Sequence, residues 1–590
     1  MSKRETKNNI PRSEHPRPDL ERKNWLNLNG TWQFEIDNSR VGVDRGYEKR
    51  DDFKGKILVP FCPESPLSGV GHRDFIFGCW YRRTFTLPKS FAGNRTLLHF
   101  GACYYAARIY VNGALAGTHK GGHTPFVFDV TELLKEGENA LTVYAESDVR
   151  SGLQVAGKQS YLADSFGCHY TRTTGLWQTV WLESVPAARV ISYRAYPSVS
   201  NGSVSLAVSV TPKALGGLLT VSARYEGREV GKARCAVTSL SPTVTVELSE
   251  VWFWEVGCGR LYDLVFTLES EDAETTDTLN GYFGLREVSL SKEKGLTVNG
   301  RTVFGRFVLD QGFYPDGVIT APSDEALRFD IEAAMKAGFN GARLHQKVFE
   351  PRFLYHADKL GYMVFGETGN WGLDTTRPEA IYNFLPEWLE ELERDFSHPS
   401  LIGWCPFNET WDKDRHPQCN LFIDSIYDIT KVYDRTRPVI ANSGSWPTSR
   451  SDTNDVHDYE QDPEKFATYY EGAERGEILD QLKRADPNRQ HFNPALPVFV
   501  SEYGGIKWVM EEDASAWGYG ESVKSEEEFF TRLEGLTDVL LQNRGIFGFC
   551  YTQLTDVEQE QNGVLTYDRR FKFDPERFAA IFAKPAAIEE

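Results

Sequence analysis

Paired cysteines, long apolar runs and an excess of positive charge are all missing from this 590-residue sequence. Its nine cysteines include no Cys-x-x-Cys pair, so neither a zinc ribbon nor a disulfide framework is predicted. Free thiols in a reducing compartment are the simplest interpretation. No stretch approaches the roughly eighteen apolar residues of a membrane-spanning helix. The formal net charge is −19 without a basic stripe, so neither nucleic acid nor a membrane is an expected partner.

The N-terminal segment is polar and lacks the apolar core of a signal peptide, so we expect a cytoplasmic protein. Residues 1–23 contain Pro11, Pro16 and Pro18, which predicts an extended arm. Aromatic residues make up 13% of the chain, which favours large β-rich cores, because aromatic side chains pack well on pleated sheets. Sugar binding through aromatic stacking is a second interpretation of the same enrichment.

Two β-rich regions come first along the chain. Short alternating runs such as TWQFEI and AARIYVNG, separated by turn residues, predict a jelly-roll β-sandwich within a domain of residues 1–186. Residues 187–286 hold about six or seven further strand candidates, which is typical of an immunoglobulin-like sandwich. The Cys…Trp…Cys pattern of antibody domains is missing there, so only the architecture is predicted.

In the third region, residues 287–590, apolar strand runs alternate with amphipathic helices. The strand candidates are residues 303–312, 339–346, 362–368, 401–409, 438–443, 454–459, 497–504 and 546–556. The helix candidates are residues 323–338, 350–361, 378–396 and 525–542. Alternation of this kind predicts a parallel sheet covered by helices, and about eight units predict a (β/α)8 TIM barrel. An open doubly wound sheet is the alternative, but no Gly-x-Gly-x-x-Gly follows the first strand.

Glutamates end two of these strands, where barrels of this kind place their chemistry. The fourth strand ends in Asn408 and Glu409, and the seventh in Glu502. Glycoside hydrolysis needs two carboxyl groups across one pocket, one protonated as an acid and one ionised as a nucleophile or base. Arg343, at the end of the second strand, is placed to keep one of them ionised. The alternative is that both are rim carboxylates, because the chain has 84 acidic residues.

Several segments resemble glycoside hydrolase family 2, the group of β-galactosidases, β-glucuronidases and β-mannosidases. The resemblance covers nearly the whole chain and implies a sugar-binding jelly roll, an immunoglobulin-like sandwich and a (β/α)8 barrel. Residues 17–34 and 171–185 resemble the opening and the closing segments of the family's sugar-binding domain. Residues 339–346, followed by 357–367, resemble its second signature. Residues 398–409 resemble the acid/base signature, and residues 501–505 resemble the nucleophile strand.

The resemblance also implies roles for individual residues. Glu409 is expected to be the acid/base and Glu502 the nucleophile. Asn408 is expected to bind the substrate 2-hydroxyl, and Arg343 to orient Glu502 and keep it ionised. The residues nominated on strand six for contact with the nucleophile are His457 and Tyr459.

The sequence departs from the family pattern in three places. The His-Tyr-Pro of the second signature is replaced by a run that includes His345. Strand eight lacks its usual Trp and offers Tyr551 and Gln553 instead. The Asn-x-Lys motif of β-glucuronidases is missing after strand eight, where QNGVLTYDRR stands, which argues against a glucuronide substrate. The remaining candidates for lining the sugar pocket are Asp310, Gln311 and Trp371.

The resulting expectation is a retaining exo-β-glycosidase that acts on a carbohydrate substrate without a cofactor or metal. A β-galactoside is the first expectation, and β-glucosides, β-mannosides, α-L-arabinosides and uronides stay open. The resemblance also implies a homo-oligomer, a dimer or a tetramer. A non-catalytic carbohydrate-binding protein on the same scaffold is the alternative, but both carboxylates are retained. A metal hydrolase is disfavoured because the histidines are scattered and no His-Glu-x-x-His occurs.

Overall fold

The computed structural model describes residues 10–411, 417–444, 446–477, 479, 491–510 and 513–590. Residues 1–9 of the predicted arm lie outside these ranges. None of the described helices is both long and apolar enough to cross a membrane.

The N-terminal region is a sandwich of two antiparallel sheets. Its strands are β1 Trp25–Asn27, β2 Gly30–Ile36, β3 Gly55–Val59, β4 Gly78–Thr86, β5 Arg95–Phe100, β6 Cys103–Tyr104, β7 Ala106–Val111, β8 Ala114–Lys120, β9 Phe126–Asp129, β10 Glu138–Glu146, β11 Gly175–Leu176 and β12 Val180–Val185. One sheet has the order β3-β2-β4-β10-β7-β8, the other β1-β12-β5-β9, and β6 pairs with β11. Alternate side chains of both sheets, among them Trp32, Tyr81 and Leu98, form the core between them.

The middle region is a smaller sandwich. Its strands are β13 Val190–Ser198, β14 Ser203–Val210, β15 Leu218–Tyr225, β16 Arg228–Ala236, β17 Thr243–Glu247, β18 Tyr262–Glu269 and β19 Thr276–Phe283. They form two antiparallel sheets, β13-β14-β17 and β16-β15-β18-β19, around a core that includes Leu206, Val221 and Phe266. Seven strands agree with the predicted six or seven. A small antiparallel sheet follows, made of β20 Val288–Ser291, β21 Gly295–Val298 and β22 Arg301–Thr302.

The C-terminal region has one parallel sheet covered by helices. Its strands are β23 Gly305–Asp310, β24 Gly341–Leu344, β25 Met363–Glu367, β26 Leu401–Cys405, β27 Asn454–Asp458, β28 Val498–Gly504 and β29 Ile546–Thr552. The described helices are α1 Asp324–Lys336, α2 Pro351–Leu360, α3 Ala380–Asp395, α4 Asn420–Tyr433, α5 Pro463–Tyr469, α6 Glu526–Leu541 and α7 Pro575–Phe582. The seven strands are all parallel in the order β26-β25-β24-β23-β29-β28-β27, which confirms the predicted parallel sheet.

The parallel sheet curls strongly. The rings of Phe365 in β25 and Phe499 in β28 stack with centroids 5.6 Å apart, although three strands separate β25 from β28 in the sheet. Phe307 in β23 contacts both rings, at 5.3 Å and 5.7 Å. These aromatic side chains fill the concave side, so the sheet encloses a packed interior rather than a channel.

The segment predicted as the fifth strand differs from the other seven. Residues 438–443 are not a continuous strand, and they meet β26 and its extension only at the bridges Trp404 to Val439 and Asn408 to Ser443. Both bridges are parallel, so the segment follows the free edge of β26 in the expected direction. Pro438 has no N–H to donate to a ladder, which shortens the regular pairing at this edge.

Helix ends follow their predicted signals. The Ser323 side chain accepts a hydrogen bond from the N–H of Ala326 and caps α1. Gly361 ends α2 with a φ of 71°, where a Cβ atom would lie only 2.3 Å from the backbone N of Cys258. Glycine is therefore required there both for its left-handed conformation and for the close approach of the middle region.

The N-terminal arm joins the three regions through buried ion pairs. The Arg12 guanidinium donates to both oxygens of Glu350, beside helix α2, at 2.9 Å and 2.7 Å. Arg22 lies 2.8 Å from Asp277 in the middle sandwich and 3.1 Å from Glu183 in the N-terminal one. A removed partner would leave a buried charge uncompensated, so these pairs fix the arm in place.

Candidate active site

The two predicted glutamates lie at the carboxyl ends of the parallel strands. Glu409 follows β26, and Glu502 lies in β28. Glu409 has a φ of 51°, which is uncommon for a residue with a Cβ atom, and its N–H donates to the Ser443 carbonyl at 2.8 Å. Backbone outliers of this kind cluster at functional sites, because the surrounding structure must hold them.

Glu409 and Glu502 face the same space. A carboxylate oxygen of each, together with a ring nitrogen of His457, lies within 4.8 Å of the others. Glu502 is buried, whereas Glu409 is partly exposed. Two carboxyl groups at this spacing match the separation of about 5 Å that supports a covalent glycosyl-enzyme intermediate, and the gap is too narrow to seat an attacking water between them.

Arg343 anchors the centre of the site. It is fully buried, and its Nε donates to Glu367 at 2.6 Å. Its Nη1 donates to Glu502 at 3.3 Å, and its Nη2 donates to the Asn408 side-chain oxygen at 2.9 Å. One guanidinium therefore orients residues from three separate strand ends.

His457 lies between the two glutamates. Its Nδ1 is 2.8 Å from Glu409 Oε1 and 3.4 Å from Glu502 Oε2, and its Nε2 is 3.0 Å from the Ser443 hydroxyl. Burial opposes the charged imidazolium, but the negative charges of Glu502 and Glu409 outweigh it and raise the pKa of His457 above its ordinary value. The ring can therefore hold a proton for the pair near neutral pH.

Tyr459 contacts the second glutamate from the opposite side. Its hydroxyl donates a short hydrogen bond to Glu502 Oε2 and lies 3.1 Å from the Thr552 hydroxyl. Its ring stacks flat on Tyr519, with centroids 3.4 Å apart. Burial and the neighbouring Glu502 carboxylate raise the pKa of Tyr459 well above its ordinary value, so the phenol stays protonated and remains a donor.

His345 lies beneath Glu502. Its Nδ1 is 3.5 Å from Glu367 and 3.8 Å from Glu502. Burial, together with the positive charge of Lys158, lowers the pKa of His345 well below its ordinary value. A neutral imidazole at this position supports the carboxylates without adding a charge to the site.

The buried side-chain NH2 group of Asn408 has no hydrogen-bond partner among the described residues. The Oδ1 atom of Asn408 is taken by Arg343, and its backbone N–H is held by the Asn370 side chain at 2.9 Å. The indole N–H of Trp371 donates to the Asn408 carbonyl at 3.1 Å, so both predicted residues border one space. An unsatisfied buried amide next to the carboxylates is placed to donate to a ligand hydroxyl.

A second polar chain borders the site from the loop after β29. Gln311 donates to the Tyr170 hydroxyl at 2.9 Å, and Gln553 donates to the Asn562 side chain at 2.8 Å. Tyr170 in turn donates a short hydrogen bond to Glu560. The predicted Gln311 and Gln553 therefore contact each other and this network, but no direct hydrogen bond joins either side chain to Glu409 or Glu502.

Two predicted pocket residues lie elsewhere. Tyr551 faces the helix layer, where its ring is 5.4 Å from Phe582, because neighbouring residues of a strand point to opposite sides and Cys550 takes the interior position. Asp310 accepts from the Gly312 N–H at 2.9 Å. Burial, and then the nearby Asp330, raise the pKa of Asp310 to about 7, so it belongs to a separate charged cluster. Neither side chain makes a hydrogen bond or ion pair with Glu409 or Glu502 among the described residues, and the substrate-binding roles of Tyr551 and Asp310 stay predictions.

The spacing of Glu409, His457 and Glu502 also matches a set of metal ligands. Each of their inward atoms is already used, however. Glu409 bonds His457, and Glu502 receives hydrogen bonds from Arg343 and Tyr459. A cation in this space would be repelled by the guanidinium, so a proton-sharing cluster fits these residues better than a metal centre.

Known proteins resemble this chain in sequence and in fold. The family model "Glycosyl hydrolase 2 galactose-binding domain-like" matches residues 72–176. A β-galactosidase of Thermoanaerobacter pseudethanolicus is 25% identical over 437 residues, which cover 70% of this chain and 54% of that protein. A β-glucuronidase of Paenibacillus borealis is 22% identical over 587 residues, which cover 92% of this chain and 94% of that protein. These similarities support the expectation of glycoside hydrolase family 2.

A solved structure shares the fold of this chain over almost its full length. The β-glucuronidase of Ruminococcus gnavus in complex with D-glucuronic acid superposes with a TM-score of 0.78 at 19% identity, covering 97% of this chain and all of that one. Several relatives are longer, since the chain spans 54%, 46% and 54% of three β-galactosidases that it matches. The family expectation drawn from the sequence motifs is confirmed.

Sequence reasoning missed four residues of the site. Glu367 ends a strand within one of the family-like segments, so the strand-end rule that found Glu409 also points to it. Lys158, Tyr170 and Glu560 lie in loops that no periodic pattern marks. Glu560 lies in the loop after β29, whereas Lys158 and Tyr170 come to the barrel from the N-terminal region.

Proposed function

We propose that this chain is a retaining exo-β-glycosidase with Glu409 as acid/base and Glu502 as nucleophile. The observation that carries the proposal is the approach of the two carboxylates to within 4.8 Å across one space. The names of the relatives, β-galactosidases and β-glucuronidases, support the same class of reaction.

In the first step the Glu502 carboxylate attacks the anomeric carbon while Glu409 donates its proton to the glycosidic oxygen. The bond to the aglycone breaks, the aglycone leaves as a neutral alcohol, and a covalent glycosyl ester forms on Glu502. Arg343 orients Glu502 for attack by donating a hydrogen bond to it. The spare Asn408 amide donor is placed to bind a sugar hydroxyl, a contact that strengthens as positive charge develops on the sugar ring.

In the second step Glu409, now ionised, takes a proton from water. The resulting hydroxide equivalent attacks the anomeric carbon, the ester to Glu502 breaks, and the sugar leaves with its β-configuration retained. Tyr459 and Arg343 stabilise the carboxylate that is released. His457 holds a proton beside Glu409 throughout the cycle.

The finer architecture belongs to the same proposal. We assign residues 1–186 to a sugar-binding jelly roll, 187–286 to an immunoglobulin-like sandwich and 287–590 to a (β/α)8 barrel, with residues 438–443 as the strand that closes it. The bridges of this segment to the edge of β26 support the closure. A homo-oligomer, dimeric or tetrameric, stays part of the proposal.

We extend the proposal to action at the non-reducing end. The N-terminal region places Gly157 against the barrel, where its N–H donates to the Gly369 carbonyl at 3.0 Å. This contact supports a pocket over an open cleft, and a pocket accepts a single terminal sugar. A β-galactoside is the first candidate substrate, and β-glucosides, β-mannosides, α-L-arabinosides and uronides are the alternatives.

The test is hydrolysis of a panel of 4-nitrophenyl glycosides, followed by proton NMR of the sugar first released. The proposal predicts turnover of at least one β-glycoside and a β-anomer as the initial product. An α-anomer as the initial product, or no turnover of any β-glycoside, would contradict it.

A further inference from the structure

A buried lysine from the N-terminal region reaches the proposed active site without a polar partner. The Lys158 ammonium lies 3.8 Å above the ring centroid of Trp371. Only 7% of the residue is exposed. Its side chain makes no hydrogen bond or ion pair with any residue in the described ranges, although an ammonium has three donors. Buried lysines are rarely left unpaired, because taking the charge out of water is costly.

The loop that carries Lys158 is held firmly on the barrel. The Ala156 N–H donates to the Trp371 carbonyl at 2.6 Å, and the Tyr170 N–H donates to the Lys158 carbonyl at 2.7 Å. Gly157 has a φ of 55°, and a Cβ atom there would lie 2.3 Å from the Gln346 carbonyl oxygen. The lysine is therefore positioned by backbone contacts on both sides, rather than by a chance conformation of a long side chain.

Lys158 remains charged in this setting. Burial lowers the pKa of Lys158, but its interactions with Cys168, and then with Glu409 and Glu560, outweigh burial and raise the pKa. The other cation at the centre, Arg343, already binds Glu367 and Glu502. Lys158 is thus the cation in this part of the described site whose N–H donors are not already bound to a carboxylate.

We propose that Lys158 binds a carboxylate carried by the substrate and thereby selects acidic over neutral β-glycosides. This inference rests on the proposed function. A carboxylate would satisfy the ammonium donors and offset the cost of keeping a charge buried beside Trp371. A neutral sugar hydroxyl would leave the ammonium without a carboxylate in direct contact.

The position of Lys158 changes how the missing Asn-x-Lys motif is understood. That motif would place a cation in the loop after the eighth strand, where this chain has the run QNGVLTYDRR. Lys158 brings a cation to Trp371 at the barrel from a different region of the chain. The missing motif therefore does not exclude an acidic substrate.

The carboxylate has two possible sources, the sugar that is cleaved off or the aglycone. Three sets of substrates separate them: 4-nitrophenyl β-glucuronide and β-galacturonide, 4-carboxyphenyl β-galactoside and β-glucoside, and the matching neutral phenyl glycosides. Wild type is compared with Lys158→Gln and with Lys158→Arg, which keeps the charge. Arg150→Gln is the matched control, because Arg150 is another cation of this region and lines the same cavity of about 190 Å³ as Trp371, but its guanidinium lies over Phe75.

The expected result is a wild-type preference for one acidic set. Lys158→Gln should lower kcat/KM for that set by about 10- to 100-fold, the usual size of a charge-assisted hydrogen bond, and mainly through KM. Neutral substrates should change less than about threefold, and Lys158→Arg and Arg150→Gln should keep most of the preference. Loss confined to the uronides assigns the carboxylate to the glycone, and loss confined to the carboxyphenyl substrates assigns it to the aglycone.

The inference is overturned if wild type turns over neutral glycosides but neither acidic set. It is equally overturned if Lys158→Gln lowers acidic and neutral substrates alike, which would make the lysine a structural counter-ion. Circular dichroism and thermal unfolding check that Lys158→Gln is folded. If it is not, Lys158→Arg decides the question through the ratio of its kcat/KM values for acidic and neutral substrates. Failure of wild type on every β-glycoside would instead contradict the proposed function itself.

Discussion

The Nδ1 atom of His457 lies 2.8 Å from a carboxylate oxygen of Glu409. The same nitrogen is 3.4 Å from Glu502, so one imidazole shares its proton between the proposed acid/base and the proposed nucleophile. Because the carboxylates raise the pKa of His457, the ring is charged below that raised value and neutral above it. The charge on the ring therefore depends on both carboxylates.

Replacing His457 with glutamine should move the alkaline limb of kcat/KM to higher pH by about one unit or more. The glutamine keeps a donor near Glu409 but removes the positive charge, and a cation favours loss of the proton that the acid must deliver. The measurement is a pH profile of an aryl glycoside for which wild type is active. Ser443→Ala is the control, since it removes the partner of Nε2 and leaves the charge. An unchanged limb, or a shift to lower pH, would refute this role of His457.

Replacing Tyr459 with phenylalanine should lower kcat by about 10- to 100-fold. The change removes a hydrogen bond to the ionised Glu502, and bonds to charged groups contribute about 1.5–3 kcal/mol. Tyr519→Phe is the control, because its ring stacks on Tyr459 and its hydroxyl is not bonded to Glu502 in the described site. If both variants lose activity equally, the effect is one of packing and not of the hydrogen bond.

The sequence predicted the centre of the site better than its border. Glu409, Glu502 and Arg343 follow from the rule that chemistry lies at the carboxyl ends of barrel strands, and the structure brings all three together. The helix-facing side of Tyr551 could not be predicted, because the strand end was known but its register was not, and a shift of one residue turns a side chain to the other face. Lys158 comes from another region entirely, and a contact between distant parts of the chain leaves no local pattern.

In the fold, too, the features with local sequence signals were predicted better than those that depend on neighbouring elements. Parallel strands and helices were predicted from periodicity and from caps such as Ser323, which are local signals. The weakly paired segment 438–443 was predicted as a full strand because its apolar run resembles the others. How strongly it pairs depends on the geometry of its neighbours, which the run itself does not encode.

Replacing Glu183 with glutamine should lower the stability of the protein at pH 7 by about 2–3 kcal/mol. Burial raises the pKa of Glu183, but His99 and Arg22 outweigh burial and hold it at about 2, below its ordinary 4.5. The stabilisation is therefore complete above about pH 4.5 and is lost as the pH falls toward 2. The exposed Glu136→Gln is the control.

Thermal unfolding measured from pH 7 to pH 3 tests this. The Tm difference between wild type and Glu183→Gln should be largest near neutral pH and shrink in acid. A difference that stays constant over this range would mean that the charge of Glu183 does not anchor the arm.

The most direct test of the central claim is the product that Glu409→Ala forms from an activated aryl β-glycoside in the presence of azide. If Glu502 forms the covalent intermediate and Glu409 only assists departure and water attack, azide should restore turnover of the variant, and the product should be the β-glycosyl azide. An α-glycosyl azide, or the absence of rescue in a variant that is folded, would contradict the assignment of these two carboxylates.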